Sequence, residues 1–346
     1  MATHGPVHVL DNYYLAITLL ITVAYQLIGF VVAFSLKFDK LTDFMGGTNF
    51  VWLAIITLAM SGTARARQIV VSIFIMLWAA RLSGFLFFRI LKTGKDDRFD
   101  DKRDKFFPFL GFWVFQMLWV WIVSFPVTIL NSPAVLQYPQ PKFGTANDII
   151  GVIIFALAFG LEAVSDVQKY LFKQSEAGKQ PGAVCNVGFF RYSRHPNYFG
   201  EIMVQVSIFI IAITPASYHT IPRGSGAYAA LYSSMLGWIL LTILLMFVSG
   251  LTLQERPGAK KRYEKGTGWP AYEKWLNETS IMFPMPPGIW RNQPIAVKRT
   301  VGLEFPIYVF DPAKHADQSK VQEREAEEGR QESGAGNRAS NEPLRD

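Results

Sequence analysis

Long apolar runs constrain this chain more than any other feature of its sequence. A helix of about 20 mostly apolar residues is long enough to cross a bilayer. Runs of roughly this kind cover residues 13–36, 46–61, 69–91, 106–130, 149–163, 199–216 and 227–251. The sequence therefore predicts an all-α, multi-pass transmembrane helix bundle of about seven helices. The range is six to eight, because the second and fifth runs are short.

The composition agrees with a membrane protein and excludes other classes. Half of the 346 residues are hydrophobic, with 28 Phe, 13 Tyr and 9 Trp, which is more than a soluble protein of this size needs. Cys185 is the single cysteine, so an internal disulfide is excluded, and no metal site is expected because His and Asp are not at ligand spacing around it. The basic residues are scattered among the loops. We therefore expect membrane lipids, and not nucleic acid, as contacts of the charged surface.

The distribution of lysine and arginine predicts an orientation. With seven crossings, the loops on one side receive only Arg65, Arg67, Lys142 and Arg223, and all other loop cations fall on the opposite side. Because Lys and Arg collect on the cytosolic side, the C-terminus is expected in the cytosol. The first run lacks a basic segment before it and an evident cleavage site, so we expect it to remain as a transmembrane helix.

The end of the chain differs in composition from the rest. Residues 314–346 hold six Lys or Arg and eight Asp or Glu and few large apolar residues, which predicts a disordered polar tail with a net charge of −2. Residues 1–313 then form the transmembrane bundle, with a net charge of +7 − (−2) = +9. One explanation of this positive excess is the usual enrichment of Lys and Arg in cytosolic loops, together with attraction to anionic lipid. The other is a cytosolic opening that attracts a cofactor carrying phosphate.

A polar stretch beside the sixth apolar run is the strongest candidate site. Residues 188–201 read GFFRYSRHPNYFGE, and Pro196 suits the first position of a helix. On that helix Asn197 and Tyr198 lie one turn before Glu201, at a helix start that favours anions. The upstream donors and cations are Arg191, Arg194 and His195. The alternative is a basic loop that only contacts lipid headgroups.

Further candidates come from ionisable residues near the ends of other runs. A helix that continues past the fifth run would carry one polar stripe, with two acids followed by two lysines, at Glu162, Asp166, Lys169 and Lys173. These residues are read either as cofactor contacts or as salt bridges on an exposed helix. Arg81 lies inside the third run, where a charge is costly, so it is a substrate-site candidate or half of an interhelical ion pair. Glu255 and Tyr272 follow the last run, where they could close the pocket, although aromatic residues there also suit an interfacial helix.

These residues carry a resemblance to a known family. The pattern FRYSRHPNYFGE at 190–201, preceded by DVQK at 166–169 and followed by Glu255 and Tyr272, resembles the C-terminal domain of the steroid 5-alpha-reductase family. The closest likeness is to its poorly characterised multi-pass membrane branch. The chain is also similar to sterol delta-14 reductases and, more distantly, to isoprenylcysteine carboxyl methyltransferases. The reductase-like part covers about residues 146–287.

The resemblance implies a membrane-embedded reductase. Such enzymes bind NADPH at the cytosolic ends of the later helices and transfer a hydride to a carbon–carbon double bond of a steroid, sterol or enoyl-type lipid. Transferred to this sequence, it implies cofactor contacts at Asp166, Asn197 and Glu201, and phosphate contacts at Lys173 and Arg191. Glu162 departs from the asparagine of some steroid reductases, and Glu255 stands near a family histidine. The likeness also suggests the endoplasmic reticulum.

Two other functions are compatible with the same residues. One is a membrane methyltransferase that uses S-adenosylmethionine, whose family shares the Arg-His-Pro-x-Tyr core. Those enzymes usually have a Glu-Glu pair after the last helix, where this chain has Glu255 and Arg256, and this departure favours the reductase. The other is a catalytically silent membrane scaffold that binds a lipid.

Overall fold

Helices are the main secondary structure of the described residues. The computed structural model describes residues 5–38, 41–93 and 104–339. The helices of the first half are α1 Leu15–Ser35, α2 Leu41–Met60, α3 Ala66–Thr93, α4 Phe106–Val123, α5 Phe125–Leu130, α6 Pro133–Leu136, α7 Ala146–Gln174 and α8 Glu176–Lys179. Those of the second half are α9 Pro196–Ala212, α10 Thr214–Ser217, α11 Gly226–Ser233, α12 Leu236–Ile243, α13 Leu251–Lys265, α14 Trp269–Glu278, α15 Pro287–Arg291, α16 Ile295–Arg299, α17 Pro312–His315 and α18 Gln318–Ala339.

The prediction of a multi-pass helical membrane protein is confirmed. Among the described residues, 6 helical segments are long and apolar enough to cross a membrane. They are Leu15–Ser35, Leu41–Met60, Ala66–Arg89, Phe106–Val123, Ala146–Gln174 and Gly226–Lys265. The sixth apolar run forms α9, which has 17 residues and is therefore about 25 Å long, shorter than the hydrocarbon core. The count thus falls at the lower end of the predicted range.

Two of the predicted runs have other bounds in the structure: the fifth belongs to a longer helix, and the seventh is divided into several. The fifth run is part of the 29-residue helix α7, which continues through the polar stripe as expected. The seventh run is divided into α11, α12 and a π-helical turn at Leu244–Val248 before α13 begins. A π turn contains one more residue than an α-helical turn, because its hydrogen bonds join residues i and i+5. The side chains that follow it are therefore rotated about the helix axis. Glu255 lies in the first turns after this irregularity.

The chain divides into two compact units, and the first contains the N-terminal helices. It consists of Met1–Ala163 and Gly200–Ile243. Its interior is aromatic: the ring of Phe50 contacts Trp78 and Trp119 edge to face, with centroids 5.1 and 5.0 Å away. Edge-to-face pairs add stabilisation beyond the buried area of the rings.

A buried ion pair ties the start of α3 to the start of α7 within this first unit. The Arg67 guanidinium donates to both carboxylate oxygens of Asp148, at 2.9 and 2.8 Å, and both side chains are almost fully buried. Arg67 also donates to the carbonyl of Pro141 at 3.1 Å, while Asp148 accepts from the amides of Gly144 and Thr145 at 3.0 Å. These bonds fix the loop that leads into α7.

The second unit consists of Val164–Phe199 and Leu244–Asp346. Within it, Gly182 has a φ of +77°, and a Cβ there would lie 2.7 Å from the Cα of Gly268, so the turn requires glycine. Arg262 donates to the carbonyls of Gly182 and Ala183 at 2.9 Å. These bonds hold the turn that leads from α8 toward residue 188.

The beginning of the polar tail is attached to the second unit. Helix α18 covers Gln318–Ala339. Val321 is buried, the Arg324 guanidinium donates to the carbonyl of Tyr263 at 2.9 Å, and the Asp317 amide donates to Glu264 at 2.8 Å. The polar composition of the segment thus coexists with a helix whose first turns are held in place. Residues 340–346 lie outside the described part of the chain.

We predict that Asp148→Asn strongly destabilises the protein. The substitution leaves the buried Arg67 guanidinium without its countercharge, and breaking a buried pair from one side costs about 3–5 kcal/mol. The free energy of unfolding of the purified protein in detergent, measured by chemical denaturation, checks this.

The matched control is Lys37→Gln, which removes the exposed ion pair with Asp104. It should leave the stability unchanged within error, since exposed pairs contribute little. Equal effects of the two substitutions would show that the Arg67–Asp148 pair does not hold the loop.

Candidate functional site

Ionised side chains that the sequence separates widely meet inside the second unit. Arg194, His195 and Glu255 are each no more than 5 % exposed. The Arg194 guanidinium donates to Glu255 Oε2 at 2.6 Å, and His195 Nε2 lies 2.6 Å from Glu255 Oε1. Arg194 donates in addition to the carboxylate of Glu304. We call these four residues the buried ionic cluster.

The backbone before α9 positions this cluster. A 3₁₀ turn at Gly188–Arg191 leads into an extended stretch that runs beside residues 280–282. The amide of Arg194 donates to the carbonyl of Ser280 at 2.8 Å, and the amide of His195 donates to the carbonyl of Ile281 at 3.1 Å. With their backbone donors satisfied, both side chains are presented from a fixed strand-like segment.

The start of α9 lies at the same place, as the sequence predicted. Pro196 is its first residue. The next residue, Asn197, donates from Nδ2 to Asp166 Oδ1 at 3.2 Å, so two of the predicted cofactor contacts are brought together. The ring of Tyr198 stacks on His195 with centroids 5.2 Å apart, and its hydroxyl accepts a hydrogen bond from Gln254.

Burial fixes the protonation state of His195. Burial lowers the pKa of this imidazole below its usual value of 6.5, and the hydrogen bond and charge of Glu255 only partly oppose this. A neutral imidazole beside an ionised carboxylate donates from Nε2, which leaves Nδ1 as an acceptor. His195 Nδ1 is buried and has no hydrogen-bond partner among the described residues. It therefore requires a donor from a ligand or from water.

Two neighbouring side chains are incompletely satisfied in the same way. Within the described part of the chain, Arg194 Nε and Asn197 Oδ1 are buried without a partner. A buried polar atom without a partner costs about 1–3 kcal/mol. Three polar residues of one motif, at positions 194, 195 and 197, thus each keep a buried polar atom without a partner among the described residues: one donor and two acceptors. Unpartnered buried polar atoms close together in the sequence make this motif the candidate binding site.

The remaining predicted residues of this unit divide into buried and exposed ones. Burial raises the pKa of Tyr272 to about 12, so its hydroxyl is uncharged at neutral pH. The Arg262 guanidinium lies 4.4 Å from the centroid of the Tyr272 ring. The Lys169 ammonium lies 5.6 Å from the ring centroid of Phe190. Lys173 and Arg191 are exposed.

Glu304 and Tyr308 belong to the surroundings of the site but were not predicted. Tyr308 is buried, its hydroxyl donates to the carbonyl of Met246 at 2.7 Å, and burial raises its pKa to about 12. Arg256 donates to the carbonyls of Pro306 and Val309 at 2.6 and 3.1 Å. The only sequence signal for this segment was its aromatic content after the last apolar run, and aromatic content alone does not indicate a site.

Three predicted residues belong to the first unit. There the Arg81 guanidinium donates to the buried carboxylate of Glu162, so the ion pair that the sequence left open as an alternative for Arg81 is present. Glu201 lies on α9, one turn after Asn197. Roles of these residues toward substrate or cofactor stay predictions.

The fold and the site define a multi-pass helical membrane protein with a buried ionic cluster at the start of a short helix. Residues 29–279 match the family described as protein of unknown function DUF1295. The chain belongs to this family. No curated protein and no solved structure matches it. Arg194, His195 and Glu255 lie inside the matched region, whereas Glu304 lies beyond it.

We predict that Glu255→Gln destabilises the protein more than Glu304→Gln does. Glu255 contacts both Arg194 and His195 and is 4 % exposed, whereas Glu304 contacts Arg194 alone and is 17 % exposed. We expect about 3–5 kcal/mol for the first, by analogy with other buried pairs, and about 1.5–3 kcal/mol for the second, as for a hydrogen bond to a charged group. Chemical denaturation in detergent measures both.

Glu176→Gln is the control, because Glu176 pairs with Lys179 on an exposed turn. It should give no resolvable change. A larger effect of Glu304→Gln than of Glu255→Gln would mean that the C-terminal segment, and not the family core, organises the cluster.

We also predict that His195 makes the stability fall in acid. Because the folded state lowers the pKa of His195, its contribution is present above the unfolded value of about 6.5 and is lost as the pH falls toward the folded value. The slope reaches at most about 1.4 kcal/mol per pH unit for one proton. His195→Gln retains a donor for Glu255. In this variant the melting temperature should depend less on pH between neutral and mildly acidic pH.

His8→Gln serves as the comparison, since His8 is exposed. It should keep the wild-type pH dependence. Identical pH profiles of the wild type and His195→Gln would contradict a neutral buried imidazole.

Proposed function

We propose that this protein is a membrane-embedded NADPH-dependent reductase that transfers a hydride to a carbon–carbon double bond of a lipid substrate. The observation that supports this most is the set of buried, unpartnered polar atoms on Arg194, His195 and Asn197 at the start of α9. They fall within the motif that resembles the steroid 5-alpha-reductase family. Six apolar segments able to cross a membrane suit a substrate that is dissolved in the bilayer.

The residues present fit a dinucleotide in two distinct ways. The buried part has paired charges: Glu255 and Glu304 both contact the guanidinium of Arg194, and the nearby charge of Lys169 acts on Glu255 and His195. A region without net charge does not attract phosphate. It suits neutral groups with both donors and acceptors, such as ribose hydroxyls or a carboxamide, which can donate to His195 Nδ1.

The phosphates would be bound by the exposed cations. Lys173 and Arg191 are both exposed, and neither forms an ion pair among the described residues of the second unit. Flexible cations of this kind are suited to phosphate recognition. Asp166, already hydrogen-bonded to Asn197, would complete the polar wall with Tyr198 and Tyr272.

In this proposal the protein's own residues bind and orient, and the cofactor supplies the hydride. Arg194 and Glu255 hold the His195 imidazole in one orientation and one tautomer. The stacked ring of Tyr198 closes one face of that imidazole and excludes water from it. A bound NADPH would supply a hydride to one carbon of the double bond and water a proton to the other, so that the lipid would gain two hydrogens and the cofactor would leave as NADP⁺. We propose the endoplasmic reticulum as the membrane and a cytosolic C-terminus.

Ligand-induced stabilisation tests the proposal. We predict that NADPH, titrated onto the purified protein in detergent, raises its melting temperature, since a ligand at 100 times its Kd adds ~2.7 kcal/mol. Asn197→Ala and Glu201→Ala should abolish this response while expression stays near normal. Asn186→Ala, an exposed asparagine of the same unit, is the control and should respond like the wild type.

The comparison with other ligands separates the alternatives. Lys173→Gln and Arg191→Gln should weaken the response to NADPH more than the response to NADH if these side chains bind the additional phosphate. A response to S-adenosylmethionine alone would favour the methyltransferase. The absence of any response to NADPH, NADH or S-adenosylmethionine would favour the silent scaffold.

A further inference from the structure

The cations that the sequence assigns to the non-cytosolic side are not scattered in the structure. Three of the four, Arg65, Arg67 and Lys142, line one surface cavity of about 340 Å³ within the first unit. The rest of the lining comes from the start of α3, the end of α5 and the loop before α7: Ala66, Gln68, Leu130, Gln140, Pro141 and Phe143. Among the described residues, no Asp or Glu lines it. Its size falls in the range of small-molecule sites, and its sign is uniformly positive.

The three cations have different roles in this cavity. Arg67 is buried and uses its guanidinium on Asp148 and on the carbonyls of Pro141 and Lys142, so it forms the floor and is not available to a ligand. Arg65 and Lys142 are exposed, and neither forms an ion pair in the part of the chain that the structure describes. Two cations without countercharge thus stand at the mouth of a rigid cavity.

The backbone around the mouth is fixed on both sides. Gln68 Oε1 accepts from the Arg65 amide at 3.3 Å and from the Thr63 hydroxyl at 2.7 Å, while its Nε2 donates to Asn131 at 3.1 Å. On the other side, Asp148 and Arg67 hold the loop that carries Lys142. The two cations therefore project from anchored positions, which lowers the entropic cost of binding an anion between them.

The position along the helices indicates the source of that anion. Arg65 directly precedes the candidate span Ala66–Arg89, and Lys142 lies four residues before the candidate span Ala146–Gln174. The starts of two spans mark the boundary of the hydrocarbon layer, which is where lipid phosphates lie. Phe143, which is 39 % exposed, adds an apolar surface beside the charges, and this suits an amphiphile better than an inorganic ion.

We infer that this cavity is a binding site for the phosphate headgroup of an anionic phospholipid, with Arg65 and Lys142 as its ligands. The inference does not depend on the proposed reductase activity, because it uses residues of the first unit that have no part in that proposal. The site would anchor the loop between α6 and α7 to the membrane surface by charge.

Reconstitution of the full chain into nanodiscs tests the site. The discs contain either phosphatidylcholine alone or an equal mixture with phosphatidylglycerol, and native mass spectrometry measures the lipids that remain bound after gentle release. The wild type should enrich phosphatidylglycerol. Arg65→Gln and Lys142→Gln should each lower that enrichment about fivefold, the value of one basic side chain near an anionic surface.

Two controls decide between a site and general attraction. Arg223→Gln removes the fourth cation of the same predicted side, which does not line the cavity, and should leave the enrichment unchanged. Arg65→Lys should largely retain it. If all variants lose enrichment equally, the effect is surface potential and the inference is overturned.

Melting temperatures show whether the bound phosphate belongs to a lipid or to a free anion. In phosphatidylcholine discs, added inorganic phosphate should not reproduce the stabilisation given by phosphatidylglycerol. Equal stabilisation by inorganic phosphate would identify a free anion as the ligand and overturn the lipid assignment. Equal melting temperatures of wild type and variants in phosphatidylcholine alone would show that the substitutions leave the fold intact.

Discussion

Ionised groups inside an apolar helix bundle must be paired, because removing a charge from water without a countercharge costs several kcal/mol. Among the described residues, this requirement is met at three places by partners that are distant in sequence. Arg67 pairs with Asp148, Arg81 with Glu162, and Arg194 with Glu255 and Glu304. A shift of one partner along its helix or segment would leave a buried charge unpaired, which is costly. The pairs therefore favour the observed arrangement over shifted ones.

This requirement also explains which features could be predicted from the sequence. The helical class and the approximate number of membrane-spanning segments follow from the length of apolar runs, which is a local property, and the start of α9 follows from Pro196. The interruption between α12 and α13 has a weaker signal, since Ser249 and Gly250 are short breaks in a run that is otherwise mostly apolar. Its cause is the local π geometry at Leu244–Val248, which composition does not reveal.

The sequence did not predict which charged residues pair with each other. Arg81 was identified as an unusual intramembrane charge, but its partner Glu162 lies 81 positions away and could only be read as part of a helical stripe. Glu304 lies 110 positions from Arg194. A contact of that separation leaves no periodicity or motif. By contrast, the bond between Asn197 and Asp166 lies between two motifs that were already recognised, so their proximity was expected.

The position of Glu304 beyond the matched family region has a physical consequence for the site. With a neutral His195, Arg194 carries one positive charge and Glu255 one negative charge. The net charge of these three residues is therefore zero without Glu304. Glu304 adds a second carboxylate to Arg194, while the nearby charge of Lys169 acts on Glu255 and His195. The core of the cluster is thus self-sufficient, and the C-terminal segment adds a carboxylate to a guanidinium that is already paired. Arg194 Nε stays buried and without a partner in the described structure even with both carboxylates in contact, so the second carboxylate does not complete the hydrogen bonding of this guanidinium.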